Sequence, residues 1–101
     1  MPKPVPGKPG WVEGSAEELL GLEFWESELI ELRLALADAV REKRSRQGIS
    51  QKELAVRVGS TQPRVARLEH AEASLDAILR AFFALGASRA EAGRIIARKV
   101  A

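Results

Sequence analysis

The chain has 101 residues, a formal net charge of +2, one histidine and no cysteine. This length suits one domain with a modest core. The lack of cysteine excludes disulfides and thiolate zinc sites, and a single histidine leaves little material for metal binding or nucleophilic catalysis. No apolar run approaches the roughly 18 residues of a membrane span. We therefore expect a cytoplasmic protein that is not an enzyme and binds no metal or cofactor.

Charge is unevenly distributed along the chain. Residues 11–42 hold nine acidic and two basic residues, a net charge of −7, whereas residues 43–70 hold seven basic and two acidic ones, a net charge of +5. A basic segment of this kind is typical of a surface that binds nucleic-acid phosphates. The acidic segment would repel DNA, so we expect it to face solvent, a basic partner, or both.

The N-terminal third is predicted to be a flexible tail followed by helices. Residues 1–10, MPKPVPGKPG, contain four prolines and two glycines and cannot form a helix or pack in a core. The folded domain is expected over residues 11–101, with a helical extension over residues 11–35. In that extension Ser15 begins a capping box for a short helix that Gly21 ends. A long helix should then run from about residue 23 to residue 47.

The long helix carries two apolar faces. Its main stripe repeats at spacings of three and four and comprises Trp25, Leu29, Leu32, Leu36, Ala39 and Val40. A second set lies on another side and comprises Phe24, Ile30, Leu34 and Ala37. One set can face the core, so something else must cover the other. Either the short N-terminal helix folds back over it, or it is a subunit or partner interface.

Residues 50–69, SQKELAVRVGSTQPRVARLE, predict two short helices joined by a turn. Ser50, with the glutamate three residues later, forms a capping box for the first helix, and Gly59 offers a left-handed stop at its end. Thr61 can cap the second helix. Two further helices are expected over residues 74–100. The sequence thus predicts an all-α fold, a compact bundle of five to six helices around a central helix-turn-helix.

The same stretch closely resembles the helix-turn-helix of the Xre family, the Cro/C1-type DNA-binding domain of phage repressors. SQKELAVRVG matches the first helix of that motif, STQ the turn and RVARLE the second helix, and the similarity extends from about Leu36 to Gly86. The resemblance implies a lambda-repressor-like fold and double-stranded DNA as the partner. One departure follows Glu69, where many relatives carry a glycine and this chain reads HAEAS.

Base contacts are expected from the second helix of the motif. Such a helix enters the major groove with its N-terminal end, so side chains there meet base edges. Gln62 could pair with adenine, and Arg64 or Arg67 with guanine. The resemblance places Gln62 and Arg67 at positions that Xre-type repressors use for base contact. Pro63 has no amide to donate and cannot read a base edge.

Another group of residues is expected to contact the DNA backbone. The resemblance implies that Gln51 contacts a phosphate of the DNA backbone. The further candidates for phosphate contact are Thr61, Lys52, Arg46 and Lys43. The resemblance also implies a structural salt bridge between Arg44 and Glu69. That bridge would connect the long helix to the second helix of the motif, which we call the recognition helix.

We expect the chain to act as a homodimer that represses transcription from an operator, because one such module buries too little surface for useful specificity. The candidates for the dimer or partner interface are Trp25, Ile30, Leu34, Ile96 and Val100. Small Xre proteins with extra helices also resemble HigA-type antitoxins, so the acidic segment could bind a basic RNase toxin. The alternative is a protein-interaction scaffold that uses a helix-turn-helix fold without DNA binding.

Overall fold

The computed structural model describes residues 15–98 of the chain, with side chains from residue 23 onwards. Within this part the chain forms no strand and five helices: α1 (Ser15–Arg46), α2 (Gln51–Val58), α3 (Gln62–Glu69), α4 (Leu75–Ala84) and α5 (Arg89–Ala97). The predicted all-α fold with a central helix-turn-helix is confirmed. The expected tail at residues 1–10 and the interface candidate Val100 lie outside the described residues.

Helix α1 is continuous over 32 residues, so the predicted break at Gly21 is wrong. A glycine inside a helix costs only about 1 kcal/mol relative to alanine. The leucine and glutamate residues on both sides favour a helix, and their summed propensity outweighs that cost. Residues 15–46 therefore contain no separate short helix that could fold back over the second apolar face of α1.

The core lies where the second half of α1 meets the four shorter helices. Helix α1 packs against α4 and α5, while α2 packs against α3 and α4. Full burial of a large apolar side chain stabilises a fold by about 1.5–3 kcal/mol. The most deeply buried large side chains are Leu36, Val40, Leu54, Val65, Ile78 and Phe82. By contrast, every residue from 23 to 31 is exposed, so this part of α1 extends away from the core.

A short turn joins α2 to α3, and its caps are those that the sequence predicts. Ser50 and Glu53 form a complete capping box, in which the Ser50 hydroxyl oxygen accepts from the Glu53 N–H at 3.0 Å. Gly59 follows α2 with a φ of 68°, a left-handed conformation that glycine adopts without steric cost. The Thr61 hydroxyl oxygen accepts from the Arg64 N–H and caps α3. Local sequence signals thus set the bounds of the motif.

The loop from α3 to α4 has no glycine directly after Glu69, where many Xre-type sequences carry one. His70 has an ordinary negative φ, and the next residue, Ala71, takes a φ of 64°. A left-handed alanine costs about 1–2 kcal/mol. Hydrogen bonds from the Ala71 N–H to the Leu68 carbonyl (2.9 Å) and from the residue 72 N–H to the residue 67 carbonyl (2.8 Å) help to offset that cost.

We predict that Gly59→Ala destabilises the protein by about 1–2 kcal/mol, because a residue with a Cβ disfavours the left-handed conformation. A Cβ at Gly59 would meet nothing within 4 Å, so the effect should come from the backbone alone. Gly93→Ala is the matched control, since Gly93 lies inside α5 and also has open space around it. We expect it to stabilise the protein by about 0.5–1 kcal/mol. Urea unfolding measures both changes, and a stabilised Gly59→Ala variant would contradict the account.

Candidate nucleic-acid interface

The outward side of α3 forms a recognition ridge, which consists of Gln62, Pro63, Arg64 and Arg67. All four side chains are exposed. Pro63 stands in the first turn of the helix, where the N–H that it lacks would have no partner within the helix. The opposite side of α3 holds the helix to the core through its buried residues, Val65, Leu68 and Glu69. Helical periodicity thus presents the polar side chains together to solvent.

Gln62 is oriented by a chain of hydrogen bonds that ends in the protein interior. Its Nε2 donates to Oε1 of Gln51 at 2.6 Å, and Nε2 of Gln51 donates to Oε1 of Glu69 at 3.0 Å. Each amide therefore uses one of its two N–H donors within the protein. Gln62 keeps its own Oε1 and its second N–H, which are the acceptor and the donor needed opposite the major-groove edge of adenine.

Arg64 and Arg67 lie on the other flank of the recognition ridge. Together with Ser60 and Glu72 they line a cleft of about 320 Å³ between α2, α3 and the loop that follows. Neither arginine forms an ion pair among residues 23–98. Their guanidinium groups therefore have donors available for the acceptors of a ligand, such as O6 and N7 of guanine.

The phosphate candidates Lys52, Thr61 and Arg46 are exposed. Lys52 lies in the first turn of α2, Thr61 caps α3, and Arg46 is the last residue of α1. The carboxylate of Glu42 lies 4.0 Å from the Arg46 guanidinium, and the Arg46 side chain is 78% exposed. Gln51 is half-buried, and its side chain bonds to its protein neighbours. Whether these residues bind phosphates stays a prediction.

Lys43 has a different contact from the one that the sequence suggests. Its Nζ lies 3.0 Å from Oε2 of Glu91 on α5 and 5.9 Å from the centre of the Phe82 ring. The hydrogen bond from Lys43 lowers the pKa of Glu91 below its ordinary value. The ammonium is half-buried and already paired with a carboxylate. The phosphate contact of Lys43 stays a prediction.

The salt bridge between Arg44 and Glu69 is present and anchors the recognition helix to α1. Both Nε and Nη2 of Arg44 donate to the carboxylate, Nη2 at 2.9 Å, and Nη1 donates to the Ile49 carbonyl at 2.9 Å. Glu69 is only 4% exposed. Burial alone would raise its pKa, but hydrogen bonds from Arg44 and Gln51 outweigh that effect and hold the pKa of Glu69 below its ordinary value.

The lowered pKa of Glu69 has a direct consequence for folding. A carboxyl group whose pKa is depressed in the folded state stabilises the fold above its unfolded pKa, about 4.3 for glutamate. That contribution is lost as the pH falls through the lower folded pKa. The hydrogen bonds from Arg44 to Glu69 in turn raise the pKa of Arg44, so this guanidinium stays charged.

Sequence reasoning missed two contacts of this region. The Gln51–Gln62 hydrogen bond joins two residues for which the sequence predicts separate roles, Gln51 in phosphate contact and Gln62 in base contact. Its only signal is that both glutamines stand in the first turns of adjoining helices. The Lys43–Glu91 pair joins residues 48 positions apart, and nothing in a single sequence matches them.

Comparison with protein families identifies the motif. A family model described as helix-turn-helix matches residues 40–79, which run from the end of α1 into α4 and include the recognition ridge, its caps and the Arg44–Glu69 pair. The chain carries a helix-turn-helix of the Xre family. The resemblance seen in the sequence is thereby confirmed, and the motif supports a DNA-binding transcription regulator.

No significant match was found among curated proteins or among solved structures. The Xre assignment therefore rests on residues 40–79 and on the geometry of the recognition ridge. None of the five described helices is both long and apolar enough to cross a membrane.

We predict that Arg44→Met destabilises the protein by about 3–5 kcal/mol, because the variant leaves the buried Glu69 carboxylate without its main partner. The double variant Arg44→Met, Glu69→Leu also removes the charge and should recover most of that loss. Arg80→Met is the control, since Arg80 is exposed on α4 beside Asp76, and it should change stability by less than about 0.5 kcal/mol. Denaturant unfolding at neutral pH compares the three variants with the wild type. A double variant as unstable as Arg44→Met would show that the buried charge is not the cause.

Proposed function

We propose that the protein is an operator-specific repressor that binds double-stranded DNA as a homodimer. The observation that carries this proposal is the recognition ridge, in which Gln62, Arg64 and Arg67 are exposed together on a helix whose other side is buried. The major groove is wide enough to admit an α-helix. The recognition ridge also lies within the basic segment, residues 43–70, whose net charge of +5 favours the approach of phosphates.

Base readout falls to the side chains of the recognition ridge. Gln62 pairs with N6 and N7 of adenine, and Arg64 and Arg67 pair with O6 and N7 of guanine. Each good bidentate pair contributes about 1–3 kcal/mol of discrimination against the wrong base. The hydrogen bond between Gln62 and Gln51 supports this role, because a side chain that is already oriented loses less conformational entropy on binding.

Positioning on the DNA backbone falls to Gln51, Lys52, Thr61 and Arg46. The first turns of α2 and α3 leave backbone N–H groups without helical partners, and the helix dipole adds positive potential there. Both features favour a phosphate beside Gln51 and Thr61. Such contacts fix the register of the protein on the duplex and carry no sequence information directly.

A further part of the proposal is that the acidic extension binds a second protein, as an antitoxin would bind a basic RNase toxin. Trp25 and Leu29 are 65% and 46% exposed on α1. A groove of about 500 Å³ between α1 and α5 is lined by both carboxylates and apolar side chains, among them Glu28, Glu31, Leu29, Leu32, Ile95 and Ile96. An apolar groove with an acidic rim complements a basic surface that carries apolar anchors.

The rival proposal keeps the fold as a protein-interaction scaffold that does not bind DNA. The exposed apolar side chains of α1 are the observation that favours it. In that case the basic segment would be incidental, and any binding to duplexes would be weak and indifferent to sequence.

A duplex titration separates the two proposals. Sequences selected from random duplexes are measured with labelled DNA between roughly 50 and 200 mM salt, and we predict an affinity that falls steeply as salt rises. Gln62→Ala and Arg67→Ala should each lose about 1–3 kcal/mol of sequence preference. Lys52→Ala should weaken binding to all duplexes alike and reduce the salt slope by about 1.

Arg80→Ala is the control for these variants, since it removes one exposed positive charge on α4, away from the recognition ridge. It should leave sequence preference unchanged. Weak binding that is equal for every sequence would favour the scaffold.

A further inference from the structure

We propose that two copies of this chain associate in antiparallel orientation through an outer stripe on α1, formed by Glu23, Ile30, Leu34 and Arg41. In this arrangement Ile30 packs against the partner's Leu34, and Glu23 pairs with the partner's Arg41. The inference rests on the proposed function, which requires a dimer, and it deepens that function by naming the surface that forms it.

The outer stripe follows one line along the helix. Its four members are separated by 7, 4 and 7 residues, and these spacings are close to whole numbers of 3.6-residue turns. Glu23 and Arg41 are 18 residues apart, which is about five turns and about 27 Å. The outer stripe is therefore symmetrical about position 32, with an apolar centre, an acid at one end and a base at the other.

Each member of the outer stripe is open to solvent. Ile30 and Leu34 are 47% and 51% exposed. The Arg41 side chain is 49% exposed, and Glu23 is exposed as well. Leu36, which faces the core from a different side of α1, is fully buried. These four side chains lie at the edge of the core-facing side of α1, because Ala37, between Leu34 and Arg41 on the same line of the helix, is only 2% exposed.

The charges select an antiparallel second copy. Reversing one helix about position 32 brings the acidic end of each outer stripe to the basic end of the other, which gives two Glu23–Arg41 pairs per dimer. A parallel pair would place Glu23 against Glu23 and Arg41 against Arg41, and such like-charge contacts are unfavourable. Asp38 already holds the Arg41 guanidinium along the surface of α1, so the same group could bridge Asp38 and the partner's Glu23.

The groove between α1 and α5 suits a second copy less well. Its carboxylates, Glu28 and Glu31, belong to the nine acidic residues of the 11–42 segment, and both are exposed. Two grooves brought together would oppose these carboxylates to one another. The outer stripe, by contrast, carries one acid and one base and is complementary to itself.

A single helical stripe makes a small interface. Stable complexes bury about 800 Å² per partner, and one stripe with two large apolar residues falls below that area. We therefore expect free dimers that dissociate readily and that become stable on an operator, where two half-sites hold the two copies at a high effective concentration.

A charge exchange tests the pairing. In sedimentation velocity over a series of concentrations at low salt, Glu23→Arg and Arg41→Glu should each weaken self-association about tenfold, because each variant places like charges at both ends of the interface. The double variant should restore self-association to within about threefold of the wild type. Two controls should change nothing: Glu28→Arg, which makes the same reversal on the groove side of α1, and Arg80→Glu, which makes it on α4 beside Asp76.

Disulfide trapping tests the orientation, and the absence of natural cysteines makes the result simple to read. A 1:1 mixture of Ile30→Cys and Leu34→Cys chains should cross-link faster than either variant alone. The antiparallel arrangement places position 30 of one chain opposite position 34 of the other. This proximity matters because a disulfide forms only when the two Cα atoms are within about 7 Å. In a parallel arrangement each variant would cross-link with itself faster than in the mixture.

Several results would overturn the inference. One is that the double variant Glu23→Arg, Arg41→Glu does not restore self-association. Another is that the wild-type protein stays monomeric both in free solution and on a selected operator. A dimer that Leu29→Ser in the groove disrupts, and that the outer-stripe variants leave intact, would also overturn it. Operator titrations keep the two proposals apart. If the protein dimerises through the outer stripe but binds every duplex weakly and equally, the repressor proposal is overturned and the dimer proposal stands. A monomer that binds a selected operator would overturn the dimer in both proposals and leave sequence-specific DNA binding intact.

Discussion

A carboxylate buried at the end of the recognition helix is the constraint on which the rest of the structure depends. Glu69 is 4% exposed, and an unpaired charge at such depth would destabilise the fold by several kcal/mol. Arg44 meets that requirement from α1, and in doing so it fixes the end of α3 against the longest helix of the protein. The same guanidinium also binds the Ile49 carbonyl, so it holds the segment that leads into α2. One ion pair thus locates both helices of the motif.

The constraint reaches the DNA-binding surface through Gln51. This amide donates to Glu69 and accepts from Gln62, so a buried charge orients a side chain on the exposed recognition ridge. The arrangement gives the Xre motif a fixed amide at one flank, while Arg64 and Arg67 stay unpaired among the described residues at the other. A side chain that is oriented before binding loses less entropy on the DNA, which favours discrimination between bases.

Features set by neighbouring residues could be predicted from the sequence, and features set by distant ones could not. Ser50, Gly59 and Thr61 bound the helices of the motif as predicted, because a cap depends on hydrogen bonds across three or four residues. The break predicted at Gly21 failed, since the helix propensity of the flanking residues outweighed one glycine. The salt bridge between Arg44 and Glu69 was predicted from the resemblance to the Xre family and not from neighbouring residues. The partner of Lys43 lies 48 residues away, and only the packing of α5 on α1 brings the two together.

The most direct test of this hydrogen-bonded chain is a double-mutant cycle between Gln51→Ala and Gln62→Ala, measured as the free energy of binding to a selected operator. We predict a coupling of about 0.5–3 kcal/mol, because either substitution removes the same orienting hydrogen bond. Lys52→Ala with Gln62→Ala is the control cycle. No hydrogen bond joins the side chains of that pair, and their effects should add within about 0.5 kcal/mol. Additive losses in the glutamine cycle would contradict the claim that the buried ion pair orients Gln62 through Gln51.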